Sequence, residues 1–437
     1  MSNQKISKRV AGTIINSLGA GVVPRVGIDR IAVGREQELK SLLQNLENVE
    51  QGGSAFRFIV GNYGSGKSFM LQLIRSQAME QGFVVADADL TSEKRLTGTN
   101  HEGLATYREL MRNLTIKTRP EGGALVSILE GWINKIQQEV AKETGMRPND
   151  DQFDDKVEAR IQEVVQDIEG LVHGFDFGNV ISAYWRGYRL EDDAQKNAAL
   201  RWLRGEFNTK TEAKSTLAVR VIIDDDTWYD YLKLVARFVA DIGYKGLLVL
   251  LDEAVHLYQI SHTVSRENNY DRLLAIFNDT MQGRADNLGI FIGGTPKFLE
   301  DTRRGLFVNP AWQRRTKESR FVKQAGMQDV SSPVIRLNPL NTNEIDTLLQ
   351  RIADVHAINL GYEVKLKKQD FQDFIQAVEN RLGAEALLTP GEIVRDFIGI
   401  LNVLHQNPAI AFTQLVRSSD FHSPQPTFDT DAAEFSL

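Results

Sequence analysis

The sequence predicts an α/β protein in which a parallel sheet carries a helical insertion and a helical C-terminal domain. Three observations indicate this fold. At residues 57–74 a short apolar strand leads through a glycine-rich loop into a helix. Two further apolar runs, within 244–258 and 287–299, end in polar residues, as buried parallel strands do. The interval from the second strand, 83–90, to the run at 244–258 is mostly of helical pattern and much longer than a parallel crossover requires.

Length and composition set limits on the class of protein. At 437 residues the chain is long enough for two or three hydrophobic cores. The absence of cysteine excludes disulfides, thiol catalysis and cysteine-based zinc sites, and the seven histidines lack ligand spacing, so no structural metal is expected. No apolar run has the length of a membrane span, which predicts a cytoplasmic protein without membrane contact. Because the formal net charge is −7, any contact with DNA needs a local basic patch.

The glycine-rich loop fits the pattern G-x-x-x-x-G-K-[ST], and it lies between a strand and a helix as that pattern requires. Glycines let backbone N–H groups close around phosphate oxygens, Lys67 reaches the β and γ phosphates, and the Ser68 hydroxyl ligates Mg²⁺. The loop therefore predicts ATP and Mg²⁺ binding, with contacts from Gly61, Asn62, Tyr63, Gly64, Ser65, Gly66, Lys67, Ser68 and Phe69. A plain glycine turn between strand and helix is the alternative interpretation.

An acidic pair follows the next buried strand. The nearly continuous apolar run from Gly246 to Leu251 ends in Asp252 and Glu253. Asp252 is expected in the Mg²⁺ shell, and Glu253 is expected to polarise the attacking water. Two acids that merely cap a strand end are the alternative, but together with the upstream loop the pair favours hydrolysis over binding alone.

The third apolar strand ends in Gly293, Gly294 and Thr295. In ATPases that sense the γ phosphate, a polar side chain lies at the end of the strand beside the acidic one, and Thr295 is the candidate. A plain Gly-Thr-Pro turn explains the same residues on local grounds.

A basic segment comes next, in a chain that is acidic overall. Residues 301–323 contain seven arginines and lysines, with Phe307 and Trp312 interleaved. Three interpretations stay open: a solvated basic face, a nucleic-acid contact, and an arginine finger offered to a neighbouring subunit's nucleotide. The aromatic residues favour an interface. In the nucleic-acid interpretation, phosphates would be contacted by Lys317, Arg320 and Lys323.

Several segments together resemble the BREX-system ATP-binding family, of the BrxC/BrxD kind, found in bacterial and archaeal phage-defence islands. They cover most of residues 20–405 and read VPRVGIDRIAVGREQEL, RFIVGNYGSGKSFML, TYRELMRNL, GYKGLLVLLDEAVHLY, GIFIGGTPKFLEDTRRGLF and LTPGEIVRDFIGILN. The phosphate loop is shared with many ATPases, whereas GYKGLLVLLDEA followed by DTRRGLF is much more specific.

The resemblance implies a P-loop, AAA+-like ATPase of the origin-recognition and STAND type with a helical C-terminal lid. In such ATPases an arginine after the third strand acts as a finger, and another in the lid acts as a sensor. Carried over, the finger candidates are Arg304 and Arg314 or Arg315, and the lid candidate is Arg395. The family pattern has an arginine directly after Thr-Pro, where this chain has Gly391. The lid sensor is therefore either Arg395 alone or absent.

The family also assigns a role to the segment before the helix that begins near Arg35. In related ATPases this loop covers the adenine, so residues 31–34, with Val33 and Gly34, would line its pocket. On the sequence alone, an amphipathic helix after a loop explains the segment equally well.

The resemblance implies helicase, methyltransferase or nuclease partners that act against foreign DNA, in a homo-oligomer or a hetero-complex, and leaves direct DNA contact open. The leading function is Mg-ATP hydrolysis that drives or times a conformational cycle. The alternative is a nucleotide-gated oligomeric scaffold or signalling platform with little turnover.

Four regions are expected along the chain. An N-terminal helix and the adenine-covering segment occupy 1–45, and the ATPase core occupies 46–330 with the helical insertion at about 100–225. The helical lid follows at 331–417. A disordered acidic tail is expected at 418–437, where a short docking peptide is the alternative to a solvated tail.

Overall fold

A computed structural model of the chain describes residues 6–318, 329–382 and 389–417. The chain divides into two compact units, each with its own hydrophobic core. We call them the helical unit, which comprises the described parts of Met1–Glu36, Gly61–Leu73 and Leu337–Leu437, and the sheet unit, which comprises those of Gln37–Val60 and Ile74–Arg336.

The sheet unit is built on a five-stranded parallel sheet. Its strands are β1 (Ser54–Val60), β2 (Val84–Asp89), β3 (Leu247–Asp252), β4 (Leu288–Gly294) and β5 (Val334–Arg336). Their order across the sheet is β2-β3-β4-β1-β5. The apolar runs that predicted β1, β3 and β4 are buried on both faces, as central parallel strands must be. Because every pairing is parallel, all five carboxyl ends lie at one edge.

Helices make up most of the remaining described structure. In chain order they are α1 (Lys8–Gly19), α2 (Glu36–Glu50), α3 (Lys67–Gln81), α4 (Glu102–Arg112), α5 (Leu125–Thr144), α6 (Phe153–Glu169), α7 (Gly174–Arg189), α8 (Asp193–Leu203), α9 (Lys210–Leu217), α10 (Trp228–Asp241), α11 (Val255–Gln259), α12 (Thr263–Met281), α13 (Pro296–Glu300), α14 (Pro310–Thr316), α15 (Thr342–Leu360), α16 (Lys368–Leu382), α17 (Pro390–Gln406) and α18 (Phe412–Val416).

The long interval between β2 and β3 is helical, as predicted. Helices α4 to α10 occupy it, and the tryptophans of the insertion are buried: Trp132 is 5% exposed, and Trp185 and Trp202 are 1% exposed each. They are therefore packing anchors of the sheet-unit core.

The helical unit has its core among α1, α15, α16 and α17. Its fully buried residues include Ile14, Leu349, Phe374 and Phe397. Ala11, Ile14 and Ile15 of α1 are part of this core. Helix α17 begins at Pro390, and Thr389 and Glu392 form a capping box at its start.

Within the described ranges, no helix combines the length and the apolar character needed to cross a membrane.

Candidate nucleotide site

The phosphate loop, residues 61–66, follows β1 and leads into α3. Gly64 has a φ of +70° and Gly66 a φ of +95°, a backbone region that glycine occupies at low cost. Lys67 is the first residue of α3 and is 7% exposed. Its Nζ donates to the Asn62 carbonyl oxygen at 2.9 Å and lies 5.3 Å from the centroid of the Tyr63 ring. The Asn62 carbonyl and the Tyr63 ring of the loop therefore both lie next to the Lys67 amine.

One buried polar atom of the loop lacks a partner. Among the described residues, the Ser65 hydroxyl oxygen has no hydrogen-bond partner although it is buried. The Ser65 carbonyl accepts from the Arg35 guanidinium at 3.2 Å, and Arg35 is itself 7% exposed. A buried hydroxyl without a partner is costly unless a ligand completes it. The loop therefore fits a phosphate ligand, because phosphate oxygens would accept from this hydroxyl.

The segment predicted to cover the adenine lies in the helical unit together with the loop. Val33 and Phe69 both pack against the core of that unit. The Ala32 carbonyl accepts from the Arg351 guanidinium of α15. A Cβ at Gly34 would lie 2.6 Å from the carboxyl carbon of Glu344, also on α15. The structure thus gathers Val33, Gly34 and the loop in one unit.

The start of α17 contacts the loop. A Cβ at Gly64 would lie 2.5 Å from the Cβ of Thr389, the N-cap residue of α17. Arg395, the predicted lid sensor, is exposed further along this helix. A Cβ at Gly391 would meet nothing within 4 Å. The glycine at that position is therefore not required by packing.

The acidic pair lies in the sheet unit, at the carboxyl end of β3. Asp252 is the last residue of the strand, and its carboxylate accepts from the backbone N–H of Glu253 at 2.8 Å. Glu253 has a φ of +57°, which is uncommon for a residue with a side chain. Such conformations persist only where the surroundings hold them, and they occur preferentially at functional sites.

Thr295 lies at the end of β4, the strand between β3 and β1. It is 6% exposed, and its hydroxyl accepts from the Phe298 N–H at 3.3 Å as the N-cap of α13. The Ala254 N–H, just after Glu253, donates to the Gly293 carbonyl of β4 at 3.0 Å. Thr295 is therefore on the strand that adjoins the acidic one.

The finger candidates differ in their surroundings. The Arg304 side chain donates to three backbone carbonyls of its own chain, those of Tyr258, Gln259 and Ile260. Arg314 and Arg315 are exposed on α14, and Arg315 donates to the Ala311 carbonyl one turn back. The Arg304 side chain therefore binds the backbone of its own chain. The side chains of Arg314 and Arg315 are exposed to solvent.

The aromatic residues of the basic segment require a correction. Trp312 is 0% exposed and packs edge-on against Phe58 and Phe277, with ring centroids 5.6 and 5.3 Å away. Its interpretation as an interface residue is wrong, because the sheet-unit core uses it as an anchor. Phe307 is partly buried against the same core. Lys317 is exposed after α14, and Arg320 and Lys323 lie outside the described residues.

Two residues near the loop were not predicted as part of the site. Arg35 was interpreted only as the start of a helix, yet its guanidinium bonds to the loop. Thr389 is brought to Gly64 by the fold, and no local pattern connects two residues so far apart in the chain. Pro390 and the capping box of Thr389 and Glu392 define the start of α17 locally, but they do not indicate what that start contacts.

Comparison with known proteins agrees with this geometry. The family of the BREX system ATP-binding protein BrxC/D matches residues 6–420, which is nearly the whole chain. No curated protein matches the chain. With its phosphate loop, its parallel sheet and this match, the chain belongs to the BrxC/D family of BREX system ATP-binding proteins.

Proposed function

We infer that the chain is a Mg²⁺-dependent ATPase of AAA+-like architecture, whose turnover drives or times a conformational cycle of a BREX defence complex acting on DNA. The proposal of hydrolysis rests on the acidic pair at the end of β3, where Glu253 has a left-handed backbone conformation. A protein that only stores ATP needs a phosphate loop but no acidic residue held in a left-handed backbone conformation after a buried strand.

Binding would rest on the phosphate loop. The backbone N–H groups at the start of α3 and the Ser65 hydroxyl would donate to phosphate oxygens, and Lys67 would exchange the Asn62 carbonyl for the β and γ phosphates. Ser68 and Asp252 offer the oxygen ligands that Mg²⁺ prefers. Bound Mg²⁺ would neutralise charge on the β and γ phosphates. Val33 and Gly34 would cover the adenine.

In the chemical step, Glu253 would accept a proton from the attacking water. The water oxygen bonds to the γ phosphorus, the bond from that phosphorus to the bridging oxygen breaks, and its electron pair stays on ADP. The Thr295 hydroxyl would donate to the transferring phosphoryl group. A lid formed by α15 to α17, with Arg395, would report the state of the nucleotide.

The binding step is tested by substituting the loop lysine. We expect Lys67→Ala to weaken ATP binding by at least about a hundredfold, because the lysine contacts the phosphates already in the ground state. Lys365→Ala is the matched control, since Lys365 is an exposed lysine of the helical unit. Isothermal titration with ATP gives the affinities, and equal affinity in wild type and Lys67→Ala would remove the phosphate-loop assignment.

The action on DNA is supported by the family and by the basic segment after β4. If it is correct, duplex or single-stranded DNA should raise the ATPase rate, and the gain should shrink as salt rises. Substitution of Lys317, Arg320 and Lys323 by alanine should lower that gain. An ATPase rate that no form of DNA changes would limit the proposal to a partner-driven cycle.

A further inference from the structure

Arg304 joins the loop after β4 to the helix that follows Glu253. Its Nε donates to the Tyr258 carbonyl at 2.8 Å, and one terminal nitrogen donates to the carbonyls of Gln259 and Ile260 at 3.2 and 3.1 Å. These carbonyls lie at the C-terminal end of α11, where carbonyls without helical partners and the helix dipole favour cations. The Ile260 carbonyl also accepts from the buried Arg266 guanidinium at 2.8 Å. The guanidinium is centred 5.5 Å from the Tyr258 ring.

A second connection runs beside the first. The Tyr258 hydroxyl donates to the Asp301 carboxylate at 2.9 Å, and the same carboxylate accepts from the backbone N–H groups of Arg303 and Arg304 at 2.7 and 3.3 Å. The Arg303 N–H and the Tyr258 hydroxyl lower the pKa of Asp301, which keeps it ionised. A Cβ at Gly305 would lie 2.6 Å from the Lys297 carbonyl oxygen, so only glycine lets the chain turn here.

Helix α11 is thereby held at both ends. Its five residues begin two positions after Glu253. At its N-terminal end, the Ala254 N–H donates to the Gly293 carbonyl of β4, and the His256 N–H donates to the Glu253 carbonyl, both at 3.0 Å. At its C-terminal end, Arg304 and Asp301 hold Tyr258. Because α11 is so short, a shift at one end moves the other.

We propose that Arg304 is a positioning residue that acts within its own subunit, holding α11 and through it the left-handed conformation of Glu253. The inference rests on the proposed ATP hydrolysis and deepens it. It assigns Arg304 a role other than that of a finger, because a finger would first have to give up three hydrogen bonds to carbonyls of its own chain. The finger role passes to Arg314 or Arg315, which face solvent on α14.

The test compares Arg304→Ala with Arg303→Ala. Arg303 is the matched control, because its side chain is exposed and no side-chain hydrogen bond of it to the described residues is seen. We expect Arg304→Ala to lower kcat by about tenfold to a hundredfold at unchanged ATP affinity, since misplacing a catalytic group by about 1 Å costs that much. Amide hydrogen exchange at His256 and Leu257 should be faster in Arg304→Ala and unchanged in Arg303→Ala.

Mixing then separates positioning from a finger acting in trans. A Lys67→Ala chain still offers its arginines but does not bind ATP, so it would rescue a finger mutant. It should not rescue Arg304→Ala, whose own Glu253 is displaced. Rescue, or unchanged exchange at His256 and Leu257, would overturn the inference.

Two further measurements distinguish the role of Arg304 from the proposed hydrolysis. If Arg304→Ala does not fold, Tyr258→Phe removes only the hydroxyl bond to Asp301, and it should show the same faster exchange with a smaller loss of kcat. If wild type and Arg303→Ala show no turnover, the proposed hydrolysis fails. The exchange measurement would still decide whether Arg304 holds α11.

Discussion

At the scale of the single residue, Gly64 has two physical reasons to be glycine. Its φ is +70°, and a Cβ would lie 2.5 Å from that of Thr389. We expect Gly64→Ala to destabilise the protein by about 1–2 kcal/mol through the left-handed backbone alone, with the contact adding to it. Because the loop must shift, ATP affinity should fall as well. Chemical denaturation and ATP titration measure the two effects.

Gly391→Ala is the control for this prediction. Gly391 is exposed on α17, and a Cβ there would meet nothing within 4 Å. Alanine in a helix should raise stability by up to about 1 kcal/mol and leave ATP affinity unchanged. Equal stability and affinity in both variants would show that neither the backbone conformation nor Thr389 constrains the loop.

The sequence was most informative about residues whose chemistry is local. Gly66, Lys67 and Ser68 follow from one contiguous motif because the loop, the lysine and the helix start act together. The contact of Arg304 with α11 could not be predicted in the same way. Arg304 is one of several arginines in a basic segment, and only the fold shows which of them reaches the carbonyls after Tyr258.

At the scale of the element, His356 links two helices of the helical unit. It lies on α15 and is fully buried, with its ring nitrogens 2.7 Å from the Tyr362 hydroxyl and 3.0 Å from the side-chain oxygen of Asn402 on α17. Burial lowers the pKa of His356. The folded protein therefore binds fewer protons than the unfolded chain below the ordinary histidine pKa of about 6.5.

This difference predicts a loss of stability on acidification. As pH falls below about 6.5, the unfolded chain takes up the proton first, so the free energy of unfolding decreases. His356→Gln keeps a polar side chain but removes the titrating group. Its melting temperature should depend less steeply on pH between 7.5 and 5.5 than that of wild type. Parallel curves would contradict the role of His356, and His405→Gln, which removes the histidine beside Tyr362, is the comparison.

Elements with a strong period were predicted well. Strands β1, β3 and β4 were expected from apolar runs, and α15, α16 and α17 lie within the range 331–417 where a helical domain was expected. Trp312 was misinterpreted for a physical reason, since tryptophan beside arginine is typical of interfaces but also of a short amphipathic helix that anchors in a core. Helix α14 is such a helix, with Trp312 inside and Arg314 and Arg315 outside.

At the scale of the whole molecule, the exposed arginines of α14 lead to a prediction about assembly. We propose that Arg314 or Arg315 completes the site of a neighbouring copy of the chain. Substituting both by alanine should lower ATPase turnover by on the order of a thousandfold at unchanged ATP affinity, because a finger acts on the charge of the transition state. Loss of a solvated surface charge would have a far smaller effect.

Mixing tests the same prediction directly. Lys67→Ala chains should restore part of the activity of the Arg314→Ala, Arg315→Ala chain. A chain that carries all three substitutions should not restore it. If mixed oligomers form and activity stays lost, these arginines do not act in trans.

We propose that this family member cleaves ATP and does not merely hold it. The most direct measurement is a single turnover with the protein in excess over γ-labelled ATP, with Glu253→Gln in parallel. We expect wild type to release labelled phosphate and Glu253→Gln to bind ATP equally well while cleaving it at least about a hundredfold more slowly, as loss of a general base implies. Intact ATP on wild type, or equal rates in the two proteins, would contradict the claim and favour a nucleotide-gated scaffold.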